Sequence, residues 1–472
     1  MNNYTPTIGI EVHVELKTNS KVFSPSRNDY NALINSNVNE IDLGYPGVLP
    51  SINKEVVHEA LKAALALNSH INKKMHFDRK NYFYPDLPKG YQITQSRTPI
   101  GYEGYLEIDM GTYTKKIGIE RLHIEEDTAK SMHTDSRTLL NYNRAGVPLI
   151  EIVSKPDIKT KEEAVKYLET LRELLFYLGV SDCKIEEGSM RADVNVSISN
   201  TDVLGTKCEI KNIGSITGVG IAIESEINRQ KKLLENNKLI EEETRRFDSS
   251  ASSTILMRKK EIGNDYRYFP EPDLPYLYLT DEEIEKVEKE LVLLPKERRN
   301  IYKERGILDI NIDKLISRKE LSDYLNMFID TNIDFKIASN LLLGDISNYL
   351  NNSRISIFDT KLTKDKFIEL VNMLSNGEIT SKIFKDIVND IMEKELSIGE
   401  ILKENNISLN NDIDELKNII NKVLDNYTES VNEYKNGKEN AFKFLMGMVM
   451  KEVKGSFNPK LVNETLLEIL KN

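Results

Sequence analysis

The stretch IGIEVHVEL, Ile8 to Leu16, constrains the fold more than any other part of the chain. Side chains alternate across a β-strand, so Ile10, Val12, Val14 and Leu16 share one face while Glu11, His13 and Glu15 share the other. The first face demands a core, and the second gathers two carboxylates and an imidazole. The pattern recurs further along. In MRADVNVSI, Arg191, Asp193, Asn195 and Ser197 alternate with Ala192, Val194, Val196 and Ile198; in TKCEIKNI, Lys207, Glu209 and Lys211 alternate with Cys208 and Ile210. One strand of this kind is explained by a wet outer face. Several, carrying charges of both signs, fit a concave polar site on a sheet better.

Two acidic clusters accompany these strands. RLHIEEDTAK carries His123, Glu125, Glu126 and Asp127, and VPLIEIVS isolates Glu151 in an apolar run. A carboxylate so placed needs a partner, with Arg144 and Arg121 as candidates for a buried ion pair. Carboxylates converging with a histidine point to a divalent cation. Hard oxygen ligands suit Mg²⁺, which fills its remaining positions with water and nucleotide phosphates, while His13 leaves Mn²⁺ or Zn²⁺ open. There is no GxxxxGK[ST], no GxGxxG between a strand and a helix, no GxSxG elbow and no cysteine set for nucleophilic catalysis. Any ATP site is therefore of an uncommon kind, and its residues are not assigned by motif. The two cysteines, Cys183 and Cys208, form no CxxC pair, which argues against a disulfide framework and a cysteine-ligated structural zinc.

Thirteen of the 14 prolines lie at or before Pro295, and all six histidines fall between His13 and His133. The first part alternates strand-like runs with Pro/Gly turns. The remainder reads as successive amphipathic helices such as ISRKELSDYLNMFID and TKDKFIELVNMLSNG. A break is expected near residue 294 and a softer one around residues 404 to 412. The net charge of −11 argues against a broadly basic nucleic-acid binder and leaves room for a local patch. The N-terminus lacks a basic segment followed by an apolar run, and no stretch of about 18 apolar residues occurs, so a cytoplasmic protein with no membrane partner is expected.

FDRKNYFYPDLPKGYQITQ, Phe77 to Gln95, mixes aromatic, charged and proline residues in a way that suits an ordered extended loop. Together with IGIEVHVELKTNSKVFSPS, GYPGVLPSINKEVV, NRAGVPLIEIVS, GVSDCKIEEGSMRADVNVS, TRRFD, DYRYFPEPDLP and YKNGKENAFKFLMGMVMK, it closely resembles the GatB family, the B subunit of a tRNA-dependent amidotransferase, over nearly the whole chain. The resemblance implies an α+β fold: an antiparallel-sheet cradle at residues 1–294, a helical domain at 295–404, and a helical tail similar to the YqeY family at 405–472.

It also implies a glutamine-dependent amidoligase that phosphorylates the side-chain carboxylate of Glu-tRNA(Gln), Asp-tRNA(Asn) or both with ATP, then lets ammonia displace the phosphate. Mg²⁺, with Mn²⁺ as the alternative, would offset the charge of two anions brought together. By position in the family motifs, Glu11, His13, Glu125, Glu126 and Glu151 match the catalytic cluster, with His13, Glu11 and Glu126 expected nearest the metal. Lys80, Tyr82 and Lys89 match an ammonia route that ends at Glu126. No amidase signature is present, so a GatA-like glutaminase and a small GatC-like protein are implied partners.

The chain departs from the family pattern in four places, one of them NIGSITGVGIAIE in place of an NLNSF-like stretch. NVNEIDLGYPGVLP lacks the paired cysteines of many relatives, so no structural zinc is expected; RADVN and EEDTAK replace the usual RCDAN and EEDAGK, which puts the turn after Glu126 in question. From Tyr434 to Asn472 seven lysines face four acids, a balance of +3. There Phe442, Leu445, Met446, Val449 and Val453 form an apolar helical stripe, and Lys443, Lys451 and Lys454 are the expected tRNA contacts. Two other classes would use parts of the same chain: a stand-alone metal-dependent hydrolase, and a non-catalytic tRNA-binding scaffold that has no need of Glu11, His13 and Glu151.

Overall fold

The computed structural model describes residues 4–259, 266–405, 407, 413–453, 457 and 459–471. Lys454 and most of the stretch around the softer expected break, 404–412, lie outside the described residues. The chain divides into two compact units, Met1–Leu294 and Pro295–Asn472.

The first unit is built on a 12-stranded sheet. Ten of its strands form one path: β1 (Thr5–Glu15), β2 (Asp78–Asn81), β3 (Tyr91–Thr94), β4 (Thr114–Glu126), β5 (Pro148–Ser154), β6 (Met190–Ser199), β7 (Cys208–Lys211), β8 (Glu243–Asp248), β9 (Ser253–Lys259) and β10 (Phe269–Pro270). Their spatial order is β9-β8-β7-β6-β1-β5-β4-β3-β2-β10, so segments from early and late in the unit interleave around β1 at the centre. The pairs along this path are antiparallel except β7 with β8, which run parallel. Parallel neighbours need a crossover, and helix Ile216–Glu235 supplies it, capped by the Ser215 side chain on the Gly218 amide.

One face of the sheet is dry. Ile8, Ile10, Val12 and Val14 of β1 are at most 1% exposed and join a core with Val56, Ala60 and Ala64 of helix Lys54–Ala66, Tyr167, Leu171 and Leu175 of helix Lys161–Leu178, and Val219 and Ile223 of the crossover helix. The helices thus cover the face that β1 makes apolar, which leaves the opposite face free for polar groups.

The second unit is helical in its described residues. TKDKFIELVNMLSNG forms one helix, Lys364–Ser375, capped by Thr363. ISRKELSDYLNMFID does not: helix Asp309–Ser317 ends at Arg318, whose φ of −116° and ψ of 77° are non-helical, and Lys319–Asn326 starts afresh. In the tail, helices Ile413–Asn426, Glu439–Glu452 and Pro459–Lys471 share a core that includes Leu416, Ile420, Leu445, Val449 and Leu466. No helix among the described residues is long and apolar enough to cross a membrane.

Candidate functional site

The polar face of the sheet is organised by strand register. His13 of β1 lies opposite Glu151 of β5, which in turn lies opposite His123 of β4. Two residues along β4, Glu125 points to the same face and pairs with Thr94 of β3. On the other side of β1, Glu11 lies opposite Asp193 of β6, and Asn195 of β6 lies opposite Glu209 of β7. Cross-strand neighbours stand about 5 Å apart, so the register alone brings these groups within reach of one another. Of these, Glu11, His13, Thr94, His123, Glu125, Glu151 and Glu209 line a cleft of about 770 Å³ together with Lys80 of β2 and the aromatic rings of Tyr266 and Tyr268.

Within the cleft, His13, Glu125 and Glu151 bring one potential ligand atom each within 4.8 Å of the others. The His13 Nε2 lies 3.4 Å from Glu125 Oε1 and 3.6 Å from Glu151 Oε2. Glu151 takes neither arginine as its partner. Its closest cation is His123, with Nε2 at 3.1 Å, while Arg144 turns to Asp127 and the Thr128 and Ala129 carbonyls and Arg121 turns to Glu120. The two imidazoles set the electrostatics. Burial works to raise the Glu151 carboxyl, and His123 and His13 outweigh it, holding the group at about 2. Burial works to lower His123, and Glu151 and Glu125 lift it to about 9. Glu125 sits well below its ordinary value because both histidines overcome its burial. Glu11 differs: burial raises it, and Glu151 adds to the effect. Its Oε1 accepts from Asn195 Nδ2 at 3.0 Å. Lys211 holds Asp193 at 2.7 Å and Glu209 at 3.1 Å.

The expected metal trio of His13, Glu11 and Glu126 is not brought together. Adjacent residues of a strand point to opposite faces, so Glu126 leaves the cleft that Glu125 enters. Its buried carboxylate accepts Lys89 Nζ at 2.5 and 2.6 Å and the Ile93 amide at 2.8 Å. The alternation was available in the sequence: Leu122 and Ile124 share the parity of Glu126, and His123 shares that of Glu125. His123, absent from the expected catalytic set, could have been found by that signal.

The three residues expected on an ammonia route separate in the same way. Lys80 lines the cleft, its Nζ 5.0 Å from the Tyr266 ring, and although burial works to lower its ammonium, Glu125 raises it overall. Lys89 belongs with Glu126. Tyr82 donates to Gln92 Oε1 at 3.3 Å, and Gln92 Nε2 donates to the Glu126 main-chain carbonyl at 2.6 Å. Burial raises the Tyr82 phenol.

Behind Lys89 lies a second buried pair, Lys21 with Asp42 at 3.2 Å, where Asp42 also accepts from Ser24 and Ser26 at 2.6 Å each. Gly146 holds a φ of +85°, a left-handed conformation that strains any residue but glycine, and a Cβ there would also crowd Asp42 Oδ1 at 3.1 Å. The turn after Glu126 is well held despite its departures. The Thr128 hydroxyl donates to Asp86 Oδ2 at 3.3 Å and the Ala129 amide donates to the Asp86 carbonyl at 2.8 Å.

In the tail, Lys443 and Lys451 are exposed, while Leu445, Val449 and Val453 are buried and Phe442 and Met446 half-buried against them.

Comparison with known proteins gives two family matches, described as the GatB/GatE catalytic domain over residues 6–285 and the GatB domain over residues 323–470. The chain is 47% identical over 472 residues to the B subunit of the aspartyl/glutamyl-tRNA(Asn/Gln) amidotransferase of Limosilactobacillus reuteri (strain DSM 20016), covering 99% of each. It is likewise 47% identical to the B subunits of the same amidotransferase from Limosilactobacillus fermentum, over 467 residues and 98% of each, and Bacillus licheniformis, over 470 residues and 99% of each.

Proposed function

The chain belongs to the GatB family, and on that footing we propose that it is the B subunit of an aspartyl/glutamyl-tRNA(Asn/Gln) amidotransferase whose phosphorylation site is the cleft of His13, Glu125 and Glu151. The observation that carries this reading is the convergence of one imidazole and two carboxylates, from three strands, on the floor of a cleft that also holds Lys80. That donor set fits a divalent cation of the Mg²⁺ or Mn²⁺ kind: oxygen donors predominate, no thiolate is present, and three ligands leave room for phosphate oxygens. When bound by these residues, such an ion would offset the charge of the two anions that must meet.

The reaction divides into two balanced steps. A carboxylate oxygen of the glutamyl or aspartyl side chain takes the γ-phosphoryl group of ATP, releasing ADP. Ammonia then attacks the acyl carbon and inorganic phosphate leaves with the C–O bond pair. Lys80, cationic beside Glu125, supplies a positive contact for the transferring group. Glu11, held by Asn195, borders the substrate on the far side of His13. Lys89 and Glu126, behind β4, offer a polar path for ammonia with an acceptor for the proton of ammonium, since only the neutral form is a nucleophile. Ammonia itself comes from a GatA-like glutaminase, with a GatC-like protein completing the heterotrimer.

The assembled complex, given ATP, ammonium chloride and Glu-tRNA(Gln) or Asp-tRNA(Asn), should form the amidated tRNA with stoichiometric ADP. ATP hydrolysis by the isolated chain, independent of tRNA, would instead identify a stand-alone hydrolase. Binding of tRNA without ADP formation would identify a scaffold.

A further inference from the structure

Two tyrosine-rich segments lie at the edge of the cleft, NYFYP at Asn81–Pro85 and YRYFP at Tyr266–Pro270. The sheet brings them together. β2 pairs with β10, Arg79 opposite Phe269 and Asp78 opposite Pro270, so the chain leaving β2 runs beside the chain entering β10. The Asn81 amide donates to the Tyr266 carbonyl at 2.9 Å, and Asn81 Nδ2 donates to the Arg267 carbonyl at 2.8 Å. Four tyrosines then follow one another edge to face. Their ring centroids lie 6.5 Å apart for Tyr84 and Tyr82, 6.0 Å for Tyr82 and Tyr266, and 6.0 Å for Tyr266 and Tyr268. Tyr266 and Tyr268 line the cleft, whereas Tyr84 is 63% exposed. Cations are interleaved with the rings. Lys80 Nζ lies 5.9 Å from the Tyr82 centroid and 5.0 Å from that of Tyr266, and the Arg267 guanidinium lies 5.9 Å from the ring of Phe83, itself 78% exposed.

Exposed rings set among cations suit an unpaired polynucleotide, because every base offers a π-face to stack and every phosphate a charge to meet. In the proposed reaction the reacting carboxylate is carried on the terminal ribose of such a strand, which must follow its end into the cleft. A single bound mononucleotide needs one ring, whereas a track from the surface into the cleft suits successive bases. We propose that this track holds the unpaired 3′ end of the aminoacyl-tRNA, with Tyr266 and Tyr268 nearest the aminoacylated nucleotide and Tyr84 and Phe83 nearest the paired stem. The inference rests on the reading of the cleft as the phosphorylation site.

The test is filter-retention binding of tRNA(Gln) or tRNA(Asn) to the assembled complex, with the tRNA intact or shortened by its unpaired 3′ nucleotides. In wild type, shortening should weaken binding at least about tenfold. The double variant Tyr84→Leu with Tyr268→Leu should bind intact tRNA at least about tenfold more weakly than wild type, and shortening should then cost it less than about threefold, since the stacking partners are already gone. Tyr84→Phe with Tyr268→Phe keeps the rings, should stay within about twofold of wild type, and carries the test if the leucine variant does not assemble. Additive losses from shortening and from the leucine substitutions would overturn the proposal, as would loss of binding in the phenylalanine variant. A raised KM for ATP with tRNA binding intact would assign the rings to adenine, and loss of the glutaminase from the leucine variant in sedimentation would make the outer ring a protein contact; either result also overturns it. Binding involves no chemistry, so label transfer to tRNA in His13→Ala tests the cleft separately. Coupled binding with normal labelling would leave the track standing and refute the reaction assigned to the cleft; additive binding with lost labelling would do the reverse.

Discussion

Glu125 and Glu126 are neighbours on one strand and have unlike surroundings, and the difference follows from strand geometry alone. Glu125 faces two histidines in the cleft; Glu126 faces Lys89 on the reverse side. The same division gives distinct expectations for the lysines. Neutralising the buried pair together, Lys89→Met with Glu126→Gln, avoids the roughly 3–5 kcal/mol that an orphaned buried charge would cost. In that double variant, glutamine-dependent amidation should fall at least about tenfold, some 1.4 kcal/mol of barrier, while amidation with concentrated external ammonium stays within a few-fold. Lys80→Ala, altered in the cleft, should lose activity with both nitrogen sources. Equal losses in the double variant with glutamine and with ammonium would remove Lys89 and Glu126 from the ammonia path. At this scale the sequence was legible wherever alternation was unbroken, as in Glu11 and His13. It was less so in HIEED, where three consecutive acids hide the phase and only Leu122 and Ile124 disclose it.

At the scale of elements, strands with one dry face were readable and their order was not. The period of two fixes which side of β1, β4 and β6 is buried. Nothing local says that β1 sits between β5 and β6, because that arrangement depends on pairings between residues far apart in the chain, such as His13 with Glu151 and Thr5 with Ser199. Helix continuity was also partly hidden. The apolar period of ISRKELSDYLNMFID runs on through Arg318, yet the backbone turns there, and the Arg318 side chain donates to Ser347 Oγ at 2.6 Å and Asn351 Oδ1 at 3.0 Å. Tertiary partners of that kind override a local period. In the tail the period was a good guide: helix Glu439–Glu452 buries Leu445 and Val449 and leaves Lys443 and Lys451 in solvent. Phosphate contacts release counterions, so Lys443→Gln with Lys451→Gln should reduce the slope of log affinity for tRNA against log salt by about one to two. Phosphorylation at saturating tRNA should remain. An unchanged slope would make this helix face structural.

On the scale of the whole molecule, the sheet-bearing unit and the helical unit differ in composition as well as fold, since prolines and histidines gather in the first. That contrast made the break near residue 294 legible, and eight ordered family-like stretches made the relationship, and with it the expected α+β class, legible. A polar site on the sheet was legible too, but which side chains meet in it was not, because the cleft is assembled from strands distant in sequence that pair only once the sheet has formed around β1. Phosphoryl transfer in that cleft is the central proposal. It is tested most directly by incubating the assembled complex with γ-³²P-labelled ATP and its aminoacyl-tRNA, without a nitrogen donor, and measuring label carried onto the tRNA. Label should accumulate in wild type and in the Lys89→Met, Glu126→Gln double variant, and fall about a hundredfold or more in His13→Ala, Glu125→Gln and Glu151→Gln. Wild-type labelling in those three single variants would contradict the account.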